Sequence, residues 1–268
     1  MTQIHKARKR FGQNFLHDDS VAENIVASMQ IKPGDHIVEI GPGKGALTEL
    51  LLKYEVKLDV VELDRDLVSI LEKKFVNQQN LRIFSADALK FDFSKLGQHG
   101  EKIRVVGNLP YNISTPLLFH LFEQASCVSD MYFMLQKQVV DRICAQPGSK
   151  KYGRLSVMSH YYCHPEPLFE VAPESFDPRP KVMSAVARLT PHAVPVVEIQ
   201  SLDNLNKLVK QAFSQRRKTL RNSLKQFVSE KVIESLSIDP GLRAEAISLK
   251  DFAKLSNVLN DEDQSGQK

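Results

Sequence analysis

Short apolar runs alternate with segments of helical periodicity over residues 36–145. The apolar runs predict buried strands at 36–40, 58–63, 81–85, 103–107 and 131–136. Amphipathic segments lie between them and predict helices at 46–54, 66–75, 115–124 and 137–145. Strands that alternate with helices of about ten residues are typical of βαβ units, so the pattern predicts a mostly parallel sheet.

The pattern changes after Gly153. Residues 155–163 and 182–189 both predict strands, and no full helical segment separates them. Two strands without a crossover helix favour antiparallel pairing, so we expect an antiparallel addition to the parallel sheet.

Two prolines, Pro191 and Pro195, indicate a boundary, and residues 202–259 beyond them have helical periodicity. The sequence therefore predicts an α/β domain followed by a small all-helical domain. The expected divisions are 1–195 for the first domain, including a basic amino-terminal arm at 1–17, and 196–268 for the second.

A glycine-rich segment at residues 39–45, EIGPGKG, joins the first predicted strand of this domain to its first helix. Glycines suit such a turn when a nucleoside ligand must approach the backbone, because no Cβ stands in the way. The segment lacks the G-x-x-x-x-G-K-[ST] phosphate-loop pattern. Glycine-rich turns also occur where only close packing requires them. The loop therefore favours a nucleoside cofactor, and a purely structural turn stays open as the alternative.

Carboxylates follow the next two predicted strands. Glu62 comes about 20 residues after Gly41, where an acidic residue accepts hydrogen bonds from ribose hydroxyls. Asp87 follows the third strand, where a carboxylate can accept a bond from an exocyclic amine. Either acid alone also suits a solvated strand end or a helix cap. An NAD site would use Glu62 in the same way, but the G-x-G-x-G loop and the second acid favour S-adenosylmethionine.

The loop after the fourth strand reads Asn108-Leu109-Pro110-Tyr111. The N6 amine of adenine is a weak nucleophile, and the Asn108 side-chain oxygen and the Pro110 carbonyl can each accept an N6–H bond. Such bonds would aim the nitrogen lone pair at a methyl donor. Tyr111 offers a face for base stacking, which is worth about 1–3 kcal/mol. These residue types also suit a plain turn, but beside a cofactor loop they indicate adenine methylation.

Residues 39–45 and 108–111 resemble the class I S-adenosylmethionine-dependent nucleic-acid amino-methyltransferases. The closest resemblance is to the small-subunit (16S) ribosomal RNA adenine N6,N6-dimethyltransferase family, the kasugamycin-sensitivity methyltransferases. That family's motifs are present as KRFGQNFL at 9–16, and as FDPRPKV at 176–182 followed by SAV. The resemblance covers nearly the whole chain and implies a Rossmann-like sheet with a small helical carboxy-terminal domain.

The resemblance also implies roles for individual residues. The implied cofactor-binding residues are Asn14, Leu16, Gly41, Glu62, Asp87 and Asn108. The implied catalytic residues are Asn108 and Tyr111 together with Phe176, and the residue chemistry adds Pro110. Phe176 would lie on the face of the flipped adenine opposite Tyr111. Judged by its proline-rich surroundings alone, Phe176 suits a lid or a core position equally well.

The resemblance implies dimethylation of two adjacent adenines in a hairpin near the 3′ end of small-subunit ribosomal RNA. The expected methyl donor is S-adenosylmethionine, and the expected partner is that RNA or the immature 30S subunit. No zinc-binding H-E-x-x-H, no G-x-S-x-G and no cysteine–histidine nucleophile pattern occurs, so we expect neither a metal nor covalent catalysis.

Basic residues outnumber acidic ones by 36 to 32, and they are clustered. One cluster lies at residues 5–10, and another at 207–225 has seven basic residues and no acid. The spacing predicts that Arg217, Arg221 and Lys225 lie on one helical face, four residues apart. Cations at this spacing repel one another, so a phosphate backbone is a plausible counter-charge. Most such runs are only solvated helix faces. The candidate RNA-binding residues are Arg216, Arg217, Lys218, Arg221 and Lys225.

No apolar run reaches the roughly 18 residues typical of a membrane span. Three cysteines without a C-x-x-C pattern and an amino terminus without a signal-peptide pattern favour a reduced, cytoplasmic protein, which we expect to be a monomer.

Three alternatives remain open. The first is a large-subunit (23S) adenine methyltransferase of the macrolide-resistance type, against which Leu109 and the helical carboxy-terminal region argue. The second is a non-catalytic ribosomal-RNA-binding assembly factor, against which intact Asn108, Pro110 and Tyr111 argue. A nicotinamide oxidoreductase is the most distant, because it would leave the predicted adenine-stacking residues without a purpose.

Overall fold

The structure, a computed structural model, describes residues 12–97 and 100–265. The basic cluster at residues 5–10, and with it most of the predicted arm, lies outside the described residues. The strands are β1 Phe15–Leu16, β2 His36–Ile40, β3 Lys57–Glu62, β4 Leu81–Ser85, β5 Ile103–Asn108, β6 Val128–Gln136, β7 Cys163–Val171, β8 Phe176–Asp177 and β9 Ser184–Pro191. The helices are α1 Asp19–Ser28, α2 Ala46–Leu51, α3 Arg65–Lys74, α4 Ser114–Glu123, α5 Lys137–Ile143, α6 Arg154–Tyr162, α7 Leu202–Ser214, α8 Leu220–Ser223, α9 Glu230–Ser235 and α10 Leu249–Ser265.

Seven strands form one sheet in the order β4-β3-β2-β5-β6-β9-β7. The five strands from β2 to β6 run parallel, and β9 pairs antiparallel with β6. The predicted α/β class, the parallel sheet and the antiparallel addition are therefore confirmed. The chain moves outward from β2 to β4 and then returns to place β5 on the other side of β2. Such a reversal opens a crevice at the carboxyl ends of the two strands.

The central strands are buried on both faces, which explains their continuous apolar runs. Every residue of β2 is buried, as is all of β3 after Lys57. The helices beside the sheet are amphipathic. For example, α3 starts at Asp64, whose side chain caps the Asp66 amide, and it buries Leu67 and Leu71. These strand and helix boundaries bring the loops that follow β2, β3, β4 and β5 to one edge of the sheet.

The strand predicted at residues 155–163 is wrong, because this segment is helix α6 and the strand that follows it is β7. Short apolar runs do not distinguish the two structures by periodicity alone. The Ser156 hydroxyl accepts a hydrogen bond from the Gly153 amide at 3.0 Å, which helps to start α6. Strand β7 contains Pro165 and Pro167, which lack the donor that a central strand needs. This strand is the last in the sheet order, where proline is tolerated.

Two compact units make up the chain. The first extends to Val140 and includes Pro165–Pro191, so it contains most of the sheet. The second combines Asp141–His164 with the chain from His192 onward. The core of the second unit includes Leu208 and Phe252, together with Tyr152 from the earlier segment. The division of the domains at residue 195 stays a prediction.

No helix in the described ranges is both long enough and apolar enough to cross a bilayer.

Candidate active site

A cavity of about 380 Å³ lies at the carboxyl ends of β2, β3, β4 and β5. The loop after each of these strands contributes to its wall, and residues 12–16 from the amino-terminal segment complete it. The predicted residues that line it are Asn14, Leu16, Gly41, Glu62, Asp87, Asn108, Pro110 and Tyr111. The structure thus brings together every predicted cofactor-binding residue and the whole catalytic loop.

The glycine loop runs close to its neighbours. Gly41 and Gly43 both have positive φ, at 68° and 58°, a conformation that favours glycine. A Cβ on Gly43 would lie 3.0 Å from the ring of Phe15, which also lines the cavity. Behind this loop, a Cβ on Gly107 would lie 2.5 Å from the carbonyl oxygen of Ile40. Glycine is therefore favoured at Gly43 both by its backbone conformation and by the Phe15 ring beside it.

Glu62 is fixed at the cavity wall by two backbone amides. One carboxylate oxygen accepts a hydrogen bond from the Asp64 amide at 2.8 Å, and the other accepts one from the Gly43 amide at 3.4 Å. Burial raises the pKa of this carboxyl above its ordinary value. After the next strand, β4, one carboxylate oxygen of Asp87 accepts a bond from the Leu89 amide at 3.0 Å, which leaves its second oxygen for another donor.

Glu39 is a cavity residue to which the sequence assigned no role. Its side chain is almost fully buried and accepts a hydrogen bond of 2.5 Å from the Thr48 hydroxyl. Burial, together with the nearby charge of Glu62, raises the pKa of Glu39 to about 7. The sequence feature that could have revealed Glu39 is its place between Val38 and Ile40 in a buried strand. Burial of an acid there is costly unless the acid has a partner.

Asn108 has an oriented side chain. Its amide nitrogen donates a hydrogen bond to the backbone carbonyl of Asn14 at 2.9 Å. Since this bond orients the side-chain amide, its oxygen Oδ1 is the atom that remains to accept a hydrogen bond from a ligand. The loop backbone is also held, because the Leu109 amide donates to the Met134 carbonyl at 3.1 Å.

Pro110 and Tyr111 complete this loop. The Pro110 carbonyl already accepts a bond from the Ile113 amide at 3.2 Å, so only its second lone pair is available to a substrate. Tyr111 is half-buried, and its hydroxyl shares a hydrogen bond of 2.6 Å with the hydroxyl of Ser184. Burial raises the pKa of the Tyr111 phenol, so the ring stays neutral at physiological pH.

The amino-terminal segment is tied to the cavity wall by three kinds of contact. The Gln13 amide donates to the Asp64 carboxylate at 3.2 Å. The Lys44 ammonium lies 4.7 Å from the centre of the Phe15 ring, within range of a cation–π interaction. Strand β1 pairs antiparallel with β8, which places Leu16 opposite Phe176.

Phe176 does not border the cavity. Its side chain is only 3% exposed and belongs to the hydrophobic core that includes Leu16 and Val186. The proline-rich segment suited either a lid or a core position for Phe176, and the structure shows the core position. Its predicted role as the second face of an adenine sandwich stays a prediction.

The basic segment is not one helix, so the predicted alignment of Arg217, Arg221 and Lys225 on one helical face is wrong. Helix α7 ends at Ser214 because Gln215 leaves the helical region, with φ −128° and ψ 69°. Acidic residues from later in the chain also approach it. Arg221 pairs with Glu230 at 3.0 Å, and the Arg216 guanidinium lies 3.6 Å from Glu245.

Arg217, Lys218 and Lys225 are exposed, and within the described ranges no acidic side chain forms an ion pair with them. Metal binding has no support from the described residues, which contain no cluster of histidine, cysteine or carboxylate side chains suited to an ion.

Residues 4–261 match a family model described as ribosomal RNA adenine dimethylase. The chain belongs to this family. Among the relatives of this chain is the ribosomal RNA small subunit methyltransferase A of Marinomonas sp.. The two are 54% identical over 258 residues, which cover 96% of this chain and 97% of the relative.

Solved structures agree with the fold of this dimethylase family. A dimethyladenosine transferase from Plasmodium falciparum has a TM-score of 0.78 and 26% identity, covering 94% of this chain and 98% of the other. The 23S rRNA methyltransferase ErmE has a TM-score of 0.72 and 24% identity, covering 92% and 100%, and supports the fold alone. The resemblance seen in the sequence and the class I methyltransferase fold are therefore both confirmed.

Proposed function

We propose that this chain transfers methyl groups from S-adenosylmethionine to N6 of two adjacent adenines in a hairpin near the 3′ end of small-subunit (16S) ribosomal RNA. The product is N6,N6-dimethyladenine, formed during biogenesis of the small subunit. Family membership and the name of the Marinomonas relative support this substrate. The observation that carries the chemistry is the oriented Asn108 amide in the wall of the cavity.

The residues of the cavity fit S-adenosylmethionine. The glycine loop lines the cavity, and a Cβ at Gly43 would press on the Phe15 ring that lines it too. Glu62 ends β3, and Asp87 follows β4. Glu62 suits the ribose hydroxyls and Asp87 the adenine amine of the cofactor. Asn14 and Leu16 would cover its methionine portion from the amino-terminal segment. When bound, the cofactor supplies a methyl group on a sulfonium, which is electrophilic without any metal.

The catalytic loop acts by positioning. Asn108 Oδ1 and the free lone pair of the Pro110 carbonyl would accept N6–H bonds of the target adenine, two before the first transfer and one before the second, which turns the nitrogen lone pair out of the ring plane. Each new N6–methyl bond replaces one N6–H bond, and the proton is released to water. Tyr111 holds the base by stacking on one face. Because these contacts hold the reacting nitrogen in a fixed geometry, they lower the barrier without a strong base.

The RNA backbone would be held by the basic segment of the second unit. Arg217, Lys218 and Lys225 are the best candidates because they are exposed and free of described acidic partners. Arg216 and Arg221 would contribute less, since part of their charge is balanced by Glu245 and Glu230. We further propose that the protein acts as a cytoplasmic monomer on immature 30S subunits.

The test uses the purified chain, S-adenosylmethionine with a labelled methyl group, and two substrates: unmodified immature small subunits and protein-free large-subunit RNA. We expect label in the small-subunit RNA alone. Label in the large-subunit RNA would instead support a methyltransferase of the macrolide-resistance type. RNA binding without any label would support a non-catalytic assembly factor.

A further inference from the structure

The only described partner of the Tyr111 side chain in a hydrogen bond is Ser184, with the two hydroxyl oxygens 2.6 Å apart. Ser184 is completely buried and is the first residue of β9. It pairs in register with Gln136, the last residue of β6. The serine therefore belongs to the rigid sheet, whereas the tyrosine belongs to the loop that lines the cavity.

The backbone of the loop is held independently of this bond. The Ser114 hydroxyl donates to the Tyr111 carbonyl at 3.2 Å, and the Leu109 amide donates to Met134. These contacts fix where the tyrosine side chain begins, but they leave open which staggered rotamer it takes about its Cα–Cβ bond. The phenol oxygen lies on the extension of the Cβ–Cγ axis, so a bond to it fixes the direction of that axis. The hydrogen bond to Ser184, a buried residue of the sheet, therefore sets where the ring lies at the cavity.

We propose that Ser184 is a positioning residue for methyl transfer, and that its hydroxyl fixes the position of the Tyr111 ring on which the target adenine stacks. This inference rests on the proposed function, because it assigns the ring to the substrate base. A ring in another position would carry the stacked adenine with it and move N6 away from the Asn108 and Pro110 acceptors. Small errors in such geometry are costly, since catalysis by positioning depends on a near-attack arrangement.

The test compares Ser184→Ala, Tyr111→Phe and the double variant with the unaltered chain. Ser184→Ala removes only the anchoring hydroxyl, and Tyr111→Phe keeps the stacking ring but removes its side of the bond. We expect each single variant to lower kcat by about 5- to 10-fold, the range that loss of one hydrogen bond supports. The double variant should be no slower than either single one, because both changes remove the same interaction.

Two measurements distinguish a positioning role of Ser184 from a role in stability alone. KM for S-adenosylmethionine and KM for the RNA should stay unchanged, because the cofactor contacts and the phosphate contacts remain. Fluorescence of RNA with 2-aminopurine at the target position should show weaker quenching in Ser184→Ala and in Tyr111→Phe alike. The matched control is Ser256→Ala, another buried serine, whose hydroxyl bonds only to the Ala253 carbonyl among described residues.

Full kcat in Ser184→Ala would overturn the inference, and so would a double variant whose loss is the product of the two single losses. A fall in kcat of the same size in Ser256→Ala would overturn it as well. If Ser184→Ala does not fold, Tyr111→Phe decides alone, and unchanged kcat with unchanged quenching overturns the inference. Failure of the proposed function is a different result, because the unaltered chain would then methylate no small-subunit RNA.

Discussion

The side-chain nitrogen of Asn108 donates a hydrogen bond to the backbone carbonyl of Asn14, at 2.9 Å, across 94 residues of sequence. This bond joins the end of β5 to the amino-terminal segment, on the wall of one cavity. It has two consequences. The amide oxygen of Asn108 is left to accept from a substrate, and the segment that would cover the cofactor is tied to the residue that would hold the adenine.

Replacement of Asn108 by alanine removes both the oriented acceptor and the tie to Asn14. We expect the rate of methyl transfer to fall by at least about 100-fold, as for loss of an essential oriented group in other enzymes. RNA affinity, measured by filter binding, should stay within about twofold, because phosphate contacts dominate it. Asn77→Ala, on an exposed asparagine outside the cavity, is the matched control. Turnover retained in Asn108→Ala would contradict the assigned role.

Gly43→Ala tests the close approach in the glycine loop. Alanine at positive φ costs about 1–2 kcal/mol in backbone strain, and here its Cβ would also press on the Phe15 ring at 3.0 Å. Gly34→Ala has the same kind of strain, with φ 86°, but its Cβ would meet no atom within 4 Å. Both variants should lower the free energy of unfolding, measured with urea.

Only Gly43→Ala should also weaken binding of S-adenosylhomocysteine, by about tenfold in calorimetry, which corresponds to about 1.4 kcal/mol. Equal affinities in the two variants would show that the loop does not form the cofactor cradle.

The buried carboxyl of Glu39 predicts a pH dependence of stability. In the unfolded chain this group ionises near its ordinary value of 4.5, whereas burial raises the pKa to about 7 in the folded chain. Between these values the folded state binds more protons, so stability falls as pH rises through that window and then levels off. Glu39→Gln cannot ionise. We therefore expect the unaltered chain to lose stability relative to Glu39→Gln from about pH 5 to pH 7.

Urea unfolding of the ligand-free proteins at a series of pH values measures this difference. Parallel stability curves for the two proteins would contradict a raised pKa at Glu39.

Charge reversal in the basic segment should weaken RNA binding more at an arginine without an acidic partner than at one that forms an ion pair. We expect Arg217→Glu to weaken binding more than Arg221→Glu, because Arg221 already pairs with Glu230. The slope of log affinity against log salt should also fall, by about one for each phosphate group that the variant no longer neutralises. An unchanged slope in Arg217→Glu would remove this segment from the RNA interface.

Much of this site was predictable because it depends on local pattern. Strands at 36–40 and 81–85 have the predicted bounds, since each is a short apolar run between clear breaks. Parallel strands bring their carboxyl ends to one edge, so Gly41, Glu62 and Asn108 were expected to meet, and they do. The chemistry expected of the catalytic loop was predicted from its residue types.

The features that could not be predicted from the sequence depend on contacts between residues that no local pattern connects. The acids that approach Arg216 and Arg221 come from Glu245 and Glu230, which no spacing rule connects to the basic segment. The burial of Phe176 depends on pairing with Leu16, far earlier in the chain. The bond between Tyr111 and Ser184 likewise requires β9 to lie beside β6.

The identity and position of the product test the central claim most directly. Immature small subunits that lack the modification are incubated with the chain and S-adenosylmethionine, and the RNA is then digested and analysed by mass spectrometry. We expect N6,N6-dimethyladenosine at two adjacent adenines of the small-subunit RNA near its 3′ end. Unmodified adenine at both positions, or methylation only elsewhere, would contradict the claim that this cavity methylates N6 of adenine in that hairpin.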